Sequence, residues 1–194
     1  VVNNAGSLAA IGPTWQTDPR EWGQDVTVNV LGVYHGCRAA IPVMIQRGGG
    51  RVVNLVGGGV HTPFPNASAY ATSKTAVMRL TENLQVELAS EGEPVRVFAM
   101  TPGLIRTRMT AQFVETERGR RWMDHTGSRL REGKDVTPEA ACTLVAALAG
   151  GDLEAVAGRF LSAPQDAADL DGLRAEGARL AQGSDDRLLR ILGR

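Results

Sequence analysis

Two side chains in this sequence are best placed to do chemistry: Tyr70 and Lys74, one helical turn apart. The segment from Asn66 to Lys74 opens a helical pattern whose apolar residues recur at Val77, Leu80, Leu84 and Leu88. Steps of three and four, at about 100° per residue, define one buried stripe, and Tyr70 and Lys74 fall within it. A tyrosine there is ordinary, because its hydroxyl needs a single partner. A lysine on the packed side of a helix is rare unless something compensates it, although its stem can be buried while its head reaches water. The alternative is a cleft that meets the start of this helix with both groups inside. A free phenol has a pKa of about 10, and bringing it to neutrality needs roughly 4 kcal/mol of preference for the phenolate. One ammonium about 4 Å away supplies that much at an effective dielectric of about 20. A phenol so tuned exchanges a proton with an oxygen undergoing reduction or oxidation.

The rest of the chain must position this pair. Val1-Val2 reads as a strand running into the turn Asn3-Asn4-Ala5-Gly6. A long helical pattern from Pro19 to about Arg47 follows, with Asp18 as its cap, and Asn29 interrupts its apolar side. Residues 51–56 are a β-branched run bounded by glycines, which suits a buried parallel strand. The Tyr70 helix ends near Glu91-Gly92, and the next strand, 95–100, closes at Thr101-Pro102-Gly103. This alternation predicts an α/β fold with right-handed crossovers and a parallel sheet. Residues 104–135 read as a polar, irregular segment, longer than most connections and suited to cover a substrate. Thr137-Pro138 opens a helix to about Ala149, and Gly158 to Ser162 forms a last short strand. Residues 166–194 read as a charged, weakly amphipathic, peripheral C-terminal tail of helical pieces packed on the outside, and nothing divides 1–194 into more than one domain.

Composition narrows the partners. Formal net charge is zero, with no basic block, so nucleic acid and anionic membrane are poor partners. No apolar run approaches the roughly 18 residues of a membrane span. Cys37 and Cys142 sit singly in helical patterns and are expected as buried free thiols of a reducing compartment, which makes the cytoplasm the default location. His35, His61 and His125 lack metal-ligand spacing, so no metal is expected. The Gly-x-Ser-x-Gly elbow of many hydrolases does not occur.

In order and spacing, these features resemble the C-terminal two-thirds of the short-chain dehydrogenase/reductase family, from Val1 to about Ser162. The landmarks are Asn3-Asn4-Ala5-Gly6, Asn29 within Val-Asn-Val-Leu-Gly, the strand ending at Val56, Tyr70-x-x-x-Lys74 and Pro102-Gly103-x-x-x-Thr107. The resemblance implies the C-terminal part of a Rossmann-type doubly wound parallel sheet. It implies an NAD- or NADP-dependent oxidoreductase moving hydride between nicotinamide and an alcohol/carbonyl substrate. Tyr70 would be the general acid/base, and Lys74 would hold the nicotinamide ribose and lower the tyrosine pKa. Asn29 would bind a water linking Lys74 to solvent. Asn3, Ala5 and Gly6 would line the adenosine side of the cleft, Pro102 and Gly103 would pass the nicotinamide, and Thr107 would hydrogen-bond its carboxamide. A homodimer or homotetramer would form through the Pro19 and Tyr70 helices packing on their copies.

The sequence departs from the family pattern in two places. The glycine-rich phosphate turn and the ribose-reading residue are not within these residues, so an incomplete, inactive domain with its first strand at an open edge is expected. In addition, Gly57 stands where the family places a serine that orients the substrate carbonyl, with Thr62 and Ser68 as possible substitutes. That glycine keeps open a second reading: a non-catalytic scaffold or regulatory subunit of the same fold.

Overall fold

Alternating side chains decide the layering. Along the two central strands, Val52, Val97 and Ala99 join one apolar cluster, while Val53, Leu55, Phe98 and Met100 join another on the opposite side. A parallel sheet so clothed is buried on both faces. The computed structural model describes residues 1–180. Its strands are β1 (Val2–Asn3), β2 (Gly50–Leu55), β3 (Val95–Thr101) and β4 (Phe160–Ser162), all parallel and in that spatial order. The two-residue β1 lies at the edge, as expected, with Val2 45% exposed.

Helices cover both faces. On one side lie α1 (Pro19–Val26), a π turn at Thr27–Leu31 that carries Asn29, α2 (Gly32–Gln46) and α3 (Ser68–Ser90). Asp18 caps α1 by accepting from the Arg20 amide at 2.7 Å. The run from Pro19 to Gln46 holds an 18-residue window of mean hydropathy 1.3, long and apolar enough to cross a membrane; this corrects the count of apolar runs made on sequence alone. In the fold 22% of that window is buried, and its Val33 and Cys37 enter the core beside β2 and β3. The buried stripe of α3 is centred on Lys74, Val77, Met78 and Thr81, leaving Leu80 and Leu84 only partly covered.

On the other face lie α7 (Pro138–Gly150) and α9 (Leu170–Leu180), joined through β4 and the single turn α8 (Ala163–Asp166). Thr137 occupies the N-cap of α7, although its side chain makes no capping hydrogen bond. As far as it is described the tail is helical and packed on the outside of the sheet, with Leu173 and Leu180 buried in the cluster that holds Leu144 and Leu148, because a charged helix needs few apolar residues on one face to dock. Residues 181–194 of that tail lie outside the described residues. Cys37 is buried as expected, whereas Cys142 is exposed.

The irregular reading of 104–135 is also overturned. The segment folds into α4 (Arg108–Glu115), α5 (Glu117–Trp122) and α6 (Asp124–Arg131). Threonine caps start the first two: Thr107 and Thr110 form a reciprocal box, and Thr116 accepts from the Gly119 amide at 2.9 Å. Each helix is too short to show a clear period. Together they bury Phe113, Met123 and Leu130 against Leu8, Ile11 and Ala67, over the carboxyl ends of the strands.

Candidate active site

The start of α3 meets the carboxyl end of β2, and this places the predicted pair. Lys74 is 3% exposed, and its Nζ donates to the Leu55 carbonyl at 2.8 Å. Tyr70 lies one turn earlier, its ring centroid 5.5 Å from that Nζ and 6.2 Å from the ring of Phe64. The Tyr70 hydroxyl has no hydrogen-bond partner among the described residues.

Electrostatics here run opposite to the sequence expectation. Burial pushes the Tyr70 phenol up to about 12 and pulls the Lys74 ammonium down to about 8. Both groups share one poorly hydrated cleft, where desolvation disfavours phenolate and ammonium alike. An ammonium hydrogen-bonded to a carbonyl and set 5.5 Å from the ring does not offset that cost.

Gly57 turns out to matter for shape. A β-carbon on it would stand 2.4 Å from Tyr70 Oη, so the phenol fills the space that a side chain would need. The φ of Gly57 is not positive, so the constraint is contact and not backbone strain. Neither suggested substitute hydroxyl is engaged at Tyr70. Thr62 is exposed, and Ser68 accepts from Trp22 Nε1 at 3.1 Å.

The remaining predicted residues divide. Gly6 comes close to the pair: a β-carbon on it would lie 3.3 Å from Asn29 Oδ1 and 3.8 Å from Lys74 Nζ. Asn29 is fully buried, but its amide is committed to the backbone of Ser7, accepting from its N–H at 2.9 Å and donating to its carbonyl at 2.8 Å. Its side chain therefore holds the turn. Asn3 points into the sheet–helix layer, donating to Asn54 Oδ1 at 2.8 Å, while Asn54 donates to Thr81 at 2.9 Å. Ala5 is exposed in the turn after β1. Pro102 and Gly103 follow β3 at the same edge of the sheet. Gly103 has φ +87° and sits so close to Val136 and Pro164 that a β-carbon would lie 2.7 Å from each. Thr107 is exposed at the start of α4, its oxygen accepting from the Thr110 amide at 3.3 Å.

Asp25 was missed. It is fully buried and accepts from Ser7 Oγ at 2.5 Å, from the Ala9 amide at 2.9 Å and from the Ala10 amide at 3.0 Å. Its spacing of four from Asn29 was the available signal, since both must share one helix face. A cavity of about 650 Å³, whose lining does not include Tyr70, is bordered by Ile11, Glu21, Gln112, Arg118 and Trp122.

An open parallel sheet with polar groups gathered at the carboxyl ends of its strands defines an α/β protein of the ligand-binding, doubly wound class. The chain belongs to the short chain dehydrogenase family, whose model matches residues 1–118. It is 34% identical over 170 residues to the short chain dehydrogenase mpl6 of Monascus purpureus, covering 88% of this chain and 53% of that protein. It is 34% identical over 163 residues to 2-(R)-hydroxypropyl-CoM dehydrogenase of Xanthobacter autotrophicus, covering 83% and 63%. Among solved structures, a putative NAD(P) dependent gluconate 5-dehydrogenase from Beutenbergia cavernae with bound NADP superposes with a TM-score of 0.70 at 31% identity, covering 84% of this chain and 63% of that one. The chain thus spans about half to two-thirds of the length of the relatives it matches. These likenesses give it a Rossmann-like parallel sheet.

Proposed function

We propose that this chain carries the catalytic pair of an NAD- or NADP-dependent oxidoreductase acting on a small alcohol/carbonyl substrate. The observation that carries the reading is the buried Lys74 beside Tyr70, at the carboxyl end of β2, where open α/β sheets bind ligands. The residues present suit a nicotinamide nucleotide. Lys74 makes one hydrogen bond among the described residues, which leaves two N–H donors for ribose hydroxyls, and the missing β-carbon of Gly6 leaves room beside it. The nicotinamide, when bound, supplies hydride chemistry. This chain supplies the proton: a phenol held at about 12 stays protonated at neutral pH, the form that donates to a carbonyl oxygen. Pro102, Gly103 and Thr107 would face the nicotinamide end, and Asn3, Ala5 and Gly6 the adenosine side. Helices α4 to α6 would cover the substrate.

A homodimer or homotetramer in the cytoplasm completes the proposal. Leu31 and Tyr34 at 47%, Val43 at 44% and Val86 at 69% exposure leave apolar surface on the helices expected to meet a second copy. The second reading, a non-catalytic scaffold, is favoured by Gly57, which brings no hydroxyl to the pair. Tyr70→Phe separates the two readings. In the full-length protein, turnover on a panel of ketones and secondary alcohols should vanish, while calorimetric affinity for NAD or NADP stays nearly unchanged. Wild-type rates in the variant would refute the role of Tyr70.

A further inference from the structure

Glu21, Asp25 and Asn29 stand at steps of four, and all three serve one stretch of chain, residues 7–10. Asp25 takes the Ala9 and Ala10 amides and the Ser7 hydroxyl, while Asn29 brackets the Ser7 peptide from both ends. From the opposite side the covering helices reach the carbonyls of the same stretch. Gln112 Nε2 donates to Leu8 O at 2.9 Å, and Arg118 Nη2 donates to Ala9 O at 2.5 Å. Arg118 also pairs with Glu21 at 2.8 Å, which closes the layer onto α1. The amides of residues 9 and 10 thus face α1, and the carbonyls of residues 8 and 9 face α4 and α5.

We propose that Asp25 is a positioning residue. It fixes the path of residues 7–10 so that Gly6 stays beside Lys74 and Leu8 and Ile11 stay in the apolar wall that includes Tyr70. Its consequence for turnover rests on the oxidoreductase reading; its effect on the loop does not. The chemistry explains why a carboxylate is needed. Three donors converge on this side chain, and two oxygens with several lone pairs satisfy them all. Convergent backbone amides form a small anion-binding concavity, and ionised acceptors make the stronger bonds. An asparagine of the same shape offers one oxygen and turns its own N–H groups toward a donor. Among the described residues no cation is hydrogen-bonded to Asp25, and Arg118, bound to the Ala9 carbonyl, interacts with it through charge alone, so the loop's three donors hold the carboxylate.

The test compares Asp25→Asn with the milder Ser7→Ala, which deletes one of the three donors and carries little folding risk. Three quantities are measured on the protein. The first is amide exchange at Ala9 and Ala10, referred to Val53 in β2. The second is the titration of Lys74, followed by NMR of carbon-labelled lysine; the chain has two lysines, and exposed Lys134 is the internal control. Lys74 is faced by Tyr70 on its own helix, by the Leu55 carbonyl on β2, and by Gly6 with Asn29 just beyond. The third is kcat and KM on ketones and secondary alcohols with NAD(H) and NADP(H).

In Asp25→Asn, exchange at Ala9 and Ala10 should rise at least about tenfold, the worth of one lost hydrogen bond, with Val53 unchanged. The Lys74 midpoint should move up from about 8 as water reaches it. The turnover number should fall more than KM changes, with Ser7→Ala smaller in the same direction. Unchanged exchange at Ala9 and Ala10 in both variants would overturn the proposal. So would a loosened loop with the Lys74 midpoint unmoved. If the full-length parent turns over no substrate, the oxidoreductase reading fails, and the first two measurements still decide the role of Asp25.

Discussion

Replacing Lys74 by methionine should stabilise this fold while removing the cation its chemistry depends on. Burial lowers the ammonium from 10.5 to about 8, a drop of about 2.5. At about 1.4 kcal/mol for each such step, this opposes folding by roughly 3 kcal/mol at neutral pH. Methionine has similar length and carries no charge, so that cost disappears. The Leu55 carbonyl loses its donor, which costs about 1 kcal/mol. The variant should therefore gain about 2 kcal/mol in denaturant unfolding at neutral pH. The pH dependence follows from the sign of the shift. Because the folded value is the lower one, the unfolded chain binds more protons between about 8 and 10.5, and parent stability must rise with pH across that window. Tyr70 acts in reverse. Raised from 10 to about 12, it keeps its proton longer when folded, so stability falls as pH climbs through that range in both proteins. The parent curve should rise and then fall, and the variant should lack the rise. A variant less stable than the parent at neutral pH, or a parent curve flat from 8 to 10.5, would refute the account of Lys74 as a strained, buried cation.

Two further outcomes follow from the geometry. Gly57→Ala must push the Tyr70 hydroxyl back by about 1 Å from its 2.4 Å approach, and displacement on that scale costs on the order of 10² in rate. Gly57→Ser imposes the same displacement but offers the phenol a partner, so its kcat should lie above that of alanine; equal rates for both would show that no hydroxyl is wanted there. Leu31→Asp combined with Val86→Asp puts charge on exposed apolar helix surface, and light scattering should show a smaller species than the parent. An unchanged mass would place the interface elsewhere.

Much of this was legible because periodicity and capping are local. The strands at 50–55 and 95–101 and the extent of α3 follow from β-branched runs and a long three-four pattern. The pairing of Tyr70 with Lys74 follows from a spacing of four. Helices α4 to α6 were not legible: at six to eight residues each, they are shorter than the window in which a period can be counted. The direction of the tyrosine shift was lost for a different reason. Coulomb attraction can be estimated from a spacing, whereas desolvation depends on how many other elements close over the site. Asp25 and the contact of Gly57 with the phenol are tertiary facts of the same kind, visible only once a loop and a helix are brought together.

The π turn has a mechanical consequence. Asp25, Asn29, Val33 and Cys37 are all buried, yet steps of four in an unbroken α-helix drift by about 40° each, or about 120° over the twelve residues. Closing one turn from the Gly32 amide to the Thr27 carbonyl takes up most of that drift. The rod from Pro19 to Gln46 therefore keeps one side in phase along its whole length, polar where it grips a loop and apolar where it lies on a sheet. Excising a single residue from Thr27–Leu31 would restore a plain helix of eleven steps between Asp25 and Cys37, about 1100°, and leave both halves in phase. Tightening the π turn to α-helix with every residue kept is what would turn the half that holds the site about 100° away from the half that rests on the sheet.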